Sequence, residues 1–234
     1  THSHTDCSDV WKIYFNQMNK FWNLGMQNVF LVNSSELDIP SRYKIFKYDQ
    51  KDNYSQRLIK CLESLNNYKY IFFDHEDMFL YKTPDYEEIN SYLIQLFNDK
   101  YDYIRLIKSS NCKYKLVENY TTLFEINLNS KWIFSLQPSF WNREKLLNLV
   151  QKNANCSGWD LELKSQKVLK NLKINSAFSH REGKKRGLYH FDNNIYPYIA
   201  TAVIKGKWNI SEYSLELMAL FKEYNIDPSL RGYI

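Results

Sequence analysis

Three carboxylates follow one of the most apolar short segments of the chain. Asp74, Glu76 and Asp77 come directly after residues 70–73, which read Tyr-Ile-Phe-Phe. Carboxylates this close repel one another unless a cation lies between them. Mg²⁺ and Mn²⁺ prefer oxygen ligands, commonly one or two carboxylates together with substrate phosphate oxygens. The cluster therefore predicts a Mn²⁺ or Mg²⁺ site. A solvated acidic turn is the alternative, and the apolar residues 78–80 that follow argue against it.

A second pair of acids, Asp160 and Glu162, stands near the start of a predicted helix over residues 161–172. A carboxylate placed beside a substrate hydroxyl can accept its proton. Residues two apart on a helix do not share a face, so only one of the two can point at a substrate. The alternative is that both acids stabilise the helix N-terminus through its dipole.

Other polar and aromatic side chains are candidates for contacts with a sugar or a phosphate. Gln137 could bond a sugar hydroxyl or satisfy the backbone near Pro138. Trp141 and Trp159 could stack on a sugar face, although tryptophan is also a common core residue. Lys205 and Lys207 flank a glycine and could contact phosphate oxygens, the alternative being a solvated loop.

The elements that must position these residues alternate between helix and strand in the first hundred residues. Apolar spacing predicts helices over 9–22 and 54–65, and apolar runs predict strands over 29–32, 43–48 and 70–73. Such alternation is typical of a parallel sheet wound with helices. A sheet of this kind usually opens with a strand, so we expect one upstream of Thr1 or a sheet that begins elsewhere.

The second half of the sequence mixes strands and helices less regularly. The pattern predicts a hairpin over 116–128, a strand over 132–137, and helices over 195–203 and 211–224. No repeat or linker divides the chain. We therefore expect a single α/β domain over 1–234, with a mostly parallel central sheet flanked by helices and a mixed second half.

Composition limits the classes of function. The chain has 234 residues, of which 44% are hydrophobic, and a net charge of +5 with acidic and basic residues interleaved. That charge is too small and dispersed for duplex DNA, so no nucleic-acid partner is expected. No apolar stretch is long enough for a membrane span, and no signal peptide is visible. Four widely spaced cysteines suit a reducing cytoplasm.

The run Asp74-His75-Glu76 resembles the DxD signature of GT-A fold glycosyltransferases, with Glu in the last place and Asp77 directly after it. The likeness is to small virus-encoded and bacterial members, including a chlorella-virus rhamnosyltransferase domain. It implies a Rossmann-like nucleotide-binding half over 1–110 and an acceptor-binding half over 111–234. It also implies a UDP-, GDP- or dTDP-sugar donor, a glycan acceptor, a divalent metal, and a cytoplasmic location, which is the host cytoplasm for a viral member.

The same resemblance assigns roles along the chain. Glu162 takes the place of the catalytic base of inverting members, with Asp160 as the second candidate. Gln137, Trp141 and Trp159 would form the acceptor side. The residues implied for the nucleotide sugar are Thr1, Ser3, Asp6, Arg57, Asp74, Lys205 and Lys207, and those implied for the metal are Asp74, Glu76 and Asp77.

Two other classes of function stay open at this point. A sugar nucleotidyltransferase also uses a metal at a strand end, but it normally carries a glycine-rich phosphate loop near its start, and none is present here. A non-catalytic carbohydrate-binding protein could use the many Tyr and Trp rings as stacking surfaces, but it would not need an acidic cluster at a strand end.

Overall fold

The computed structural model describes residues 1–34 and 38–234. The helices within this part of the chain are α1 (Ser8–Phe21), α2 (Tyr54–Ser64), α3 (Tyr86–Phe97), α4 (Arg143–Gln151), α5 (Gly158–Asn171) and α6 (Ile210–Tyr224). The strands are β1 (Asn28–Val32), β2 (Tyr43–Lys47), β3 (Tyr70–Phe73), β4 (Tyr103–Arg105), β5 (Lys108–Ser109), β6 (Tyr114–Leu116), β7 (Leu123–Ile126), β8 (Ser139–Asn142), β9 (Ser176–Ser179), β10 (Lys185–Arg186), β11 (His190–Phe191), β12 (Val203–Ile204) and β13 (Lys207–Trp208). Two short 3₁₀ turns cover Thr5–Cys7 and Pro228–Leu230.

The central sheet has the strand order β3-β8-β4-β9-β7-β6. β8 is antiparallel to both β3 and β4, and β4 is parallel to β9, so β3, β4 and β9 run in one direction. β7 and β6 extend the sheet as an antiparallel hairpin, as the sequence predicts for residues 116–128. A separate parallel pair, β1 and β2, lies on the far side of β3.

Residues 1–3 connect these two sheets. The His2 N–H donates to the Asp74 carbonyl at 3.0 Å, and the Ser3 N–H donates to the Leu31 carbonyl at 2.9 Å. Both bridges of His2 are parallel, one to Leu31 and one to His75. β1, β2, β3, β4 and β9 therefore share one direction, and their carboxyl ends meet at one edge. The short segment at residues 1–3 is where the described sheet begins.

Apolar side chains pack against both faces of the sheet. One core lies between the sheet and α1, α3 and α6, and includes Phe30, Tyr92 and Phe140. The other lies between the sheet and α2, α4 and α5, and includes Tyr103 and Trp141. Burial on both faces explains the apolar runs of the strands. The predicted α/β fold, a mostly parallel sheet flanked by helices with a mixed second half, is confirmed.

Two predicted elements are wrong. Residues 132–137 form no strand, because the backbone N–H groups of Ile133 and Phe134 donate to the side-chain oxygen of Gln166. The strand instead begins at Ser139. Residues 195–203 form no helix. Their backbone groups pair with the extended segment after β3, as in the bond from the Tyr81 N–H to the Pro197 carbonyl.

No helix within the described residues is long and apolar enough to cross a membrane.

Candidate functional site

The acidic run lies where the chain turns after β3, at the common carboxyl edge of the parallel strands. Glu76 is buried and Asp77 is half-buried. His75, Glu76 and Asp77 each offer one potential ligand atom, and these three atoms lie within 4.8 Å of one another. In open α/β sheets, ligands bind at this edge. The cluster therefore lies at the edge of the sheet where ligands of such folds bind.

Burial raises the pKa of Glu76, and the neighbouring Asp77 carboxylate raises it further. Burial also raises the pKa of Asp77, even though the Val203 N–H lowers it. Burial lowers the pKa of His75 to about 3, so its imidazole is neutral at neutral pH. Two carboxylates that resist ionising together, beside a neutral imidazole, are a donor set that fits a divalent cation such as Mn²⁺.

Asp74 points away from this cluster. Its carboxylate accepts a hydrogen bond from the Tyr14 hydroxyl at 2.8 Å, and the Thr1 nitrogen lies 3.5 Å from its other oxygen. Its side chain is only 2% exposed, on the side of α1. The prediction of Asp74 as a metal and donor ligand is corrected here, because its carboxylate is already satisfied inside the protein.

The first residues of the chain form the wall beside Glu76. The Ser3 hydroxyl accepts a bond from Trp11 Nε1 at 2.7 Å, and both Ser3 and the Cys7 thiol lie close enough to Glu76 to lower its pKa. Ser3 is buried, so it supports the acid and does not face a nucleoside. The Thr1 hydroxyl lies 2.6 Å from the Tyr14 hydroxyl and is likewise hydrogen-bonded within the protein.

Asp6 and Arg57 lie nearer the surface of the same wall. The Asp6 side chain is 87% exposed, and one of its oxygens lies 3.3 Å from His4 Nδ1. Arg57 lies over the Tyr48 ring at 4.3 Å, and its Nε donates to the Asp52 carbonyl at 2.7 Å. The half-buried Arg57 is thus held between an aromatic ring and a backbone carbonyl.

Glu162 lies on α5. Its Oε1 accepts the Leu136 N–H at 2.5 Å, and burial raises its pKa. The charges of Glu162, Glu76 and Asp77 all raise the pKa of Tyr54, whose hydroxyl lies 2.9 Å from His75 Nε2, so the three carboxylates act on the same side chain. Asp160 has a different position. It is exposed and accepts the Ser157 hydroxyl at 2.7 Å in the helix cap.

The predicted acceptor residues separate into three environments. Gln137 uses its amide inside the protein, accepting the Tyr198 hydroxyl at 2.7 Å and donating to the Ala200 carbonyl at 3.2 Å. Trp141 is 1% exposed and stacks on Tyr103 at 4.0 Å, so an acceptor cannot reach it and the prediction for Trp141 is corrected. Trp159 is 58% exposed and offers an open ring face.

The β12–β13 hairpin borders the cluster on the remaining side. The Val203 N–H lies 3.4 Å from Asp77 Oδ2, which ties the start of the hairpin to the acid. Lys205 and Lys207 are exposed on its turn, where Lys205 has a φ of 50° next to Gly206. Both lysines are therefore exposed on a hairpin whose start contacts Asp77.

The sequence analysis missed Arg231. Its guanidinium pairs with Asp9, donates to the Asp6 carbonyl at 3.0 Å and to the Gly206 carbonyl at 3.1 Å, and thereby connects the first loop to the hairpin turn. Its charge also interacts with those of Glu76 and Asp77. No local pattern in the sequence indicates this role, since the partners lie more than twenty residues away.

No family model and no curated protein sequence matches the chain. Among solved structures, it is similar to a 4-diphosphocytidyl-2C-methyl-D-erythritol synthase from Anaerococcus prevotii, with 8% identity, a TM-score of 0.42, and coverage of 73% of this chain and 77% of that one. It is also similar to a cytidylyltransferase from Leptospira borgpetersenii, with 12% identity, a TM-score of 0.42, and coverage of 94% and 85%. A third similar structure is A197 from STIV, with 13% identity, a TM-score of 0.36, and coverage of 69% and 82%. Likeness at this level carries no argument about activity.

Proposed function

We propose that this protein is a metal-dependent glycosyltransferase that takes a sugar from a nucleotide-diphosphate donor. The observation that carries the proposal is the cluster of His75, Glu76 and Asp77 at the carboxyl edge of the sheet, beside a tyrosine, Tyr54, on which the charge of Glu162 also acts. Two of these acids suit a divalent cation, and the third stands apart on another element. This separation fits glycosyl transfer, in which a metal ion holds the donor diphosphate and a separate base takes the proton of the acceptor hydroxyl.

The donor would bind through its diphosphate. Glu76 and Asp77, with His75 beside them, would hold Mn²⁺ or Mg²⁺, and the ion would neutralise the charge of the departing nucleoside diphosphate. Lys205 and Lys207, on the exposed hairpin turn, would offer further positive charge to the diphosphate. UDP-, GDP- and dTDP-sugars all carry this diphosphate.

Glu162 would accept the proton of the acceptor hydroxyl as that oxygen attacks the sugar. A raised pKa suits this role, because a base works best when its pKa lies near the working pH. Attack from the side opposite the leaving group gives inversion. The exposed ring of Trp159 offers an apolar surface for a glycan acceptor.

Nucleotidyl transfer is the second candidate, since two acids at a strand end can hold a metal for that reaction equally well. The turn at Thr5–Cys7, which follows the first paired segment, contains no glycine, whereas a phosphate-cradling loop normally needs several.

The test is a product assay with Mn²⁺. Incubation with UDP-, GDP- and dTDP-sugars is expected to release nucleoside diphosphate only when metal is present, and Asp77→Ala and Glu76→Ala are expected to lose nearly all of this turnover while staying folded. Asp160→Asn is the matched control, because Asp160 is an exposed acid outside the cluster.

Other products would identify other functions. Pyrophosphate released from a nucleoside triphosphate and a sugar phosphate would indicate nucleotidyl transfer. Full turnover in both Asp77→Ala and Glu76→Ala would disprove the metal role. A chain that binds glycans but shows no thermal shift with nucleotide and Mn²⁺ would be a carbohydrate-binding protein.

A further inference from the structure

Arg105, the last residue of β4, is a fully buried cation that no described carboxylate bonds. Its Nε donates to the Ile107 carbonyl at 3.0 Å, and its Nη1 donates to the Ser135 hydroxyl at 3.4 Å, so both acceptors are neutral. Its Nη2 has no hydrogen-bond partner within residues 1–34 and 38–234. Arginine stays charged in proteins, and a buried charge is strongly destabilising unless it is paired and hydrogen-bonded.

Arg143 shows how the same fold satisfies a buried arginine with a structural role. Its Nε and Nη1 donate to the carbonyls of Tyr68 and Leu62 at 3.0 Å and 3.2 Å, and its Nη2 lies 3.5 Å from a carboxylate oxygen of Glu144. Each nitrogen of that guanidinium has a protein partner, and one partner is charged. Arg105 differs on both counts, which points to a partner that arrives with a ligand.

The position of Arg105 in the sheet also favours a ligand. β4 runs in the same direction as β3, so Arg105 stands at the carboxyl edge where the acidic cluster lies. Burial raises the pKa of Glu162, and the charge of Arg105 lowers it, so these two side chains are neighbours. Ser135 and Glu162 are each half-buried, so both are partly in contact with solvent.

We propose that the Arg105 guanidinium binds an anionic group, a carboxylate or a phosphate, that is carried by the acceptor. The planar fork of arginine matches such groups, because it donates to two of their oxygens at once. Nη2 is enclosed, so the anion reaches it by displacing the Ser135 hydroxyl from Nη1. The distance of 3.4 Å between Nη1 and that hydroxyl is longer than a typical hydrogen bond, so little is lost when it breaks.

The site therefore selects an acidic saccharide as acceptor. A neutral saccharide leaves the buried guanidinium unpaired, and a site whose polar groups stay unpaired discriminates against that ligand. The assignment to the acceptor rests on the proposed function, in which Glu162 takes the proton of the acceptor hydroxyl. The anion site itself rests on the contacts of Arg105 and does not depend on sugar transfer.

The test measures binding without donor or metal. Sodium glucuronate and glucose are the probes, because they differ mainly in the carboxylate. Calorimetry gives the two Kd values, and the NMR signal of the Arg105 Nε–H reports whether the guanidinium is contacted. We expect glucuronate to bind roughly 10- to 100-fold more tightly than glucose, the usual effect of hydrogen bonds to a charged group.

Three variants separate a binding role from a structural one. Arg105→Met should keep its Tm, because an apolar side chain suits a buried position, and should bind both probes alike. Arg105→Lys keeps the charge without the fork and should lose most of the preference. Arg143→Met is the matched control. It should lower Tm, because it leaves the Tyr68 and Leu62 carbonyls without their donor, and should retain the preference for glucuronate.

Equal affinity for the two probes in the unmodified chain would overturn the proposal, as would a preference that persists in Arg105→Met. If Arg105→Met does not fold, an unchanged preference in Arg105→Lys overturns it instead. UDP with Mn²⁺ is the remaining arm. A response of the Arg105 signal to UDP and not to glucuronate would overturn the assignment to the acceptor. A chain that prefers glucuronate through Arg105 but transfers no sugar would support the anion site while the proposed function fails.

Discussion

Glu162 is bonded to the backbone through one carboxylate oxygen. Its Oε1 accepts the Leu136 N–H at 2.5 Å, and its charge, like those of Glu76 and Asp77, raises the pKa of Tyr54. Two positions away on the same helix, Asp160 is exposed and belongs to the cap with Ser157. The two acids thus have similar sequence neighbourhoods and different surroundings.

This difference makes Glu162→Gln an informative variant. The glutamine carbonyl can still accept the Leu136 N–H, so the fold and donor binding should be retained, but the amide cannot take a proton. We expect turnover to fall by roughly 10²–10⁴-fold, the usual contribution of a general base. Steady-state kinetics and a donor-binding titration measure the two effects separately.

Asp160→Asn is the control, because the asparagine Oδ1 can still accept the Ser157 hydroxyl next to the helix cap. It should keep turnover close to that of the unmodified chain. A wild-type rate in Glu162→Gln, or an equal loss in both variants, would rule out Glu162 as the base.

At the scale of elements, a buried contact links α1 to the end of β3. The Tyr14 hydroxyl, on a side chain that is 1% exposed, donates to Asp74 at 2.8 Å. The pair holds the helix against the strand from which the acidic run emerges. Asp74 is therefore a structural acid beside the candidate metal cluster.

Removing this hydroxyl should destabilise the fold. Tyr14→Phe leaves the Asp74 carboxylate buried without its donor, and we expect the free energy of unfolding to fall by about 1–3 kcal/mol. Urea unfolding measures the change. Tyr70→Phe is the matched control: its hydroxyl bonds Asp99 at the surface, and its loss should cost less than about 0.5 kcal/mol. Equal effects in the two variants would contradict the role given to Tyr14.

At the scale of the whole molecule, the acidic cluster links stability to pH. Burial raises the folded-state pKa of Glu76 to about 8 and that of Asp77 to about 6, above their ordinary values of 4.5 and 3.8. The folded chain then holds protons that the unfolded chain releases. The contribution of the Glu76 and Asp77 side chains to the free energy of unfolding is fully present below pH 3.8. It is lost as the pH rises through about 6 and about 8.

A divalent metal should reverse this trend. It binds the ionised carboxylates, so the rise in Tm caused by Mn²⁺ is expected to grow as the pH increases from about 6 to about 8. Glu76→Gln should weaken both the metal response and its pH dependence. Glu144→Gln, at a side chain that is 82% exposed, should change neither. A metal response independent of pH in the unmodified chain would contradict the linkage.

Much of the fold could be predicted from local patterns. The apolar run of β3 and the apolar spacing of α2 identify the strand and the helix, because burial and backbone preference act over a few neighbouring residues. The wrong predictions arise where contacts with distant parts of the chain outweigh these local preferences. Residues 195–203 are apolar enough for a helix, but their backbone groups are taken by a segment more than a hundred positions earlier.

Of the site, the sequence by itself determined that Asp74, Glu76 and Asp77 follow an apolar strand and that an acid pair stands near the start of α5. Only the tertiary structure decided that Asp74 bonds Tyr14, that Glu162 is buried and acts on Tyr54 while Asp160 is exposed, and that Arg231 connects the first loop to the hairpin turn. The reason is physical. Local sequence determines which elements form, whereas the direction of each charged side chain depends on partners brought near by the packing of distant elements.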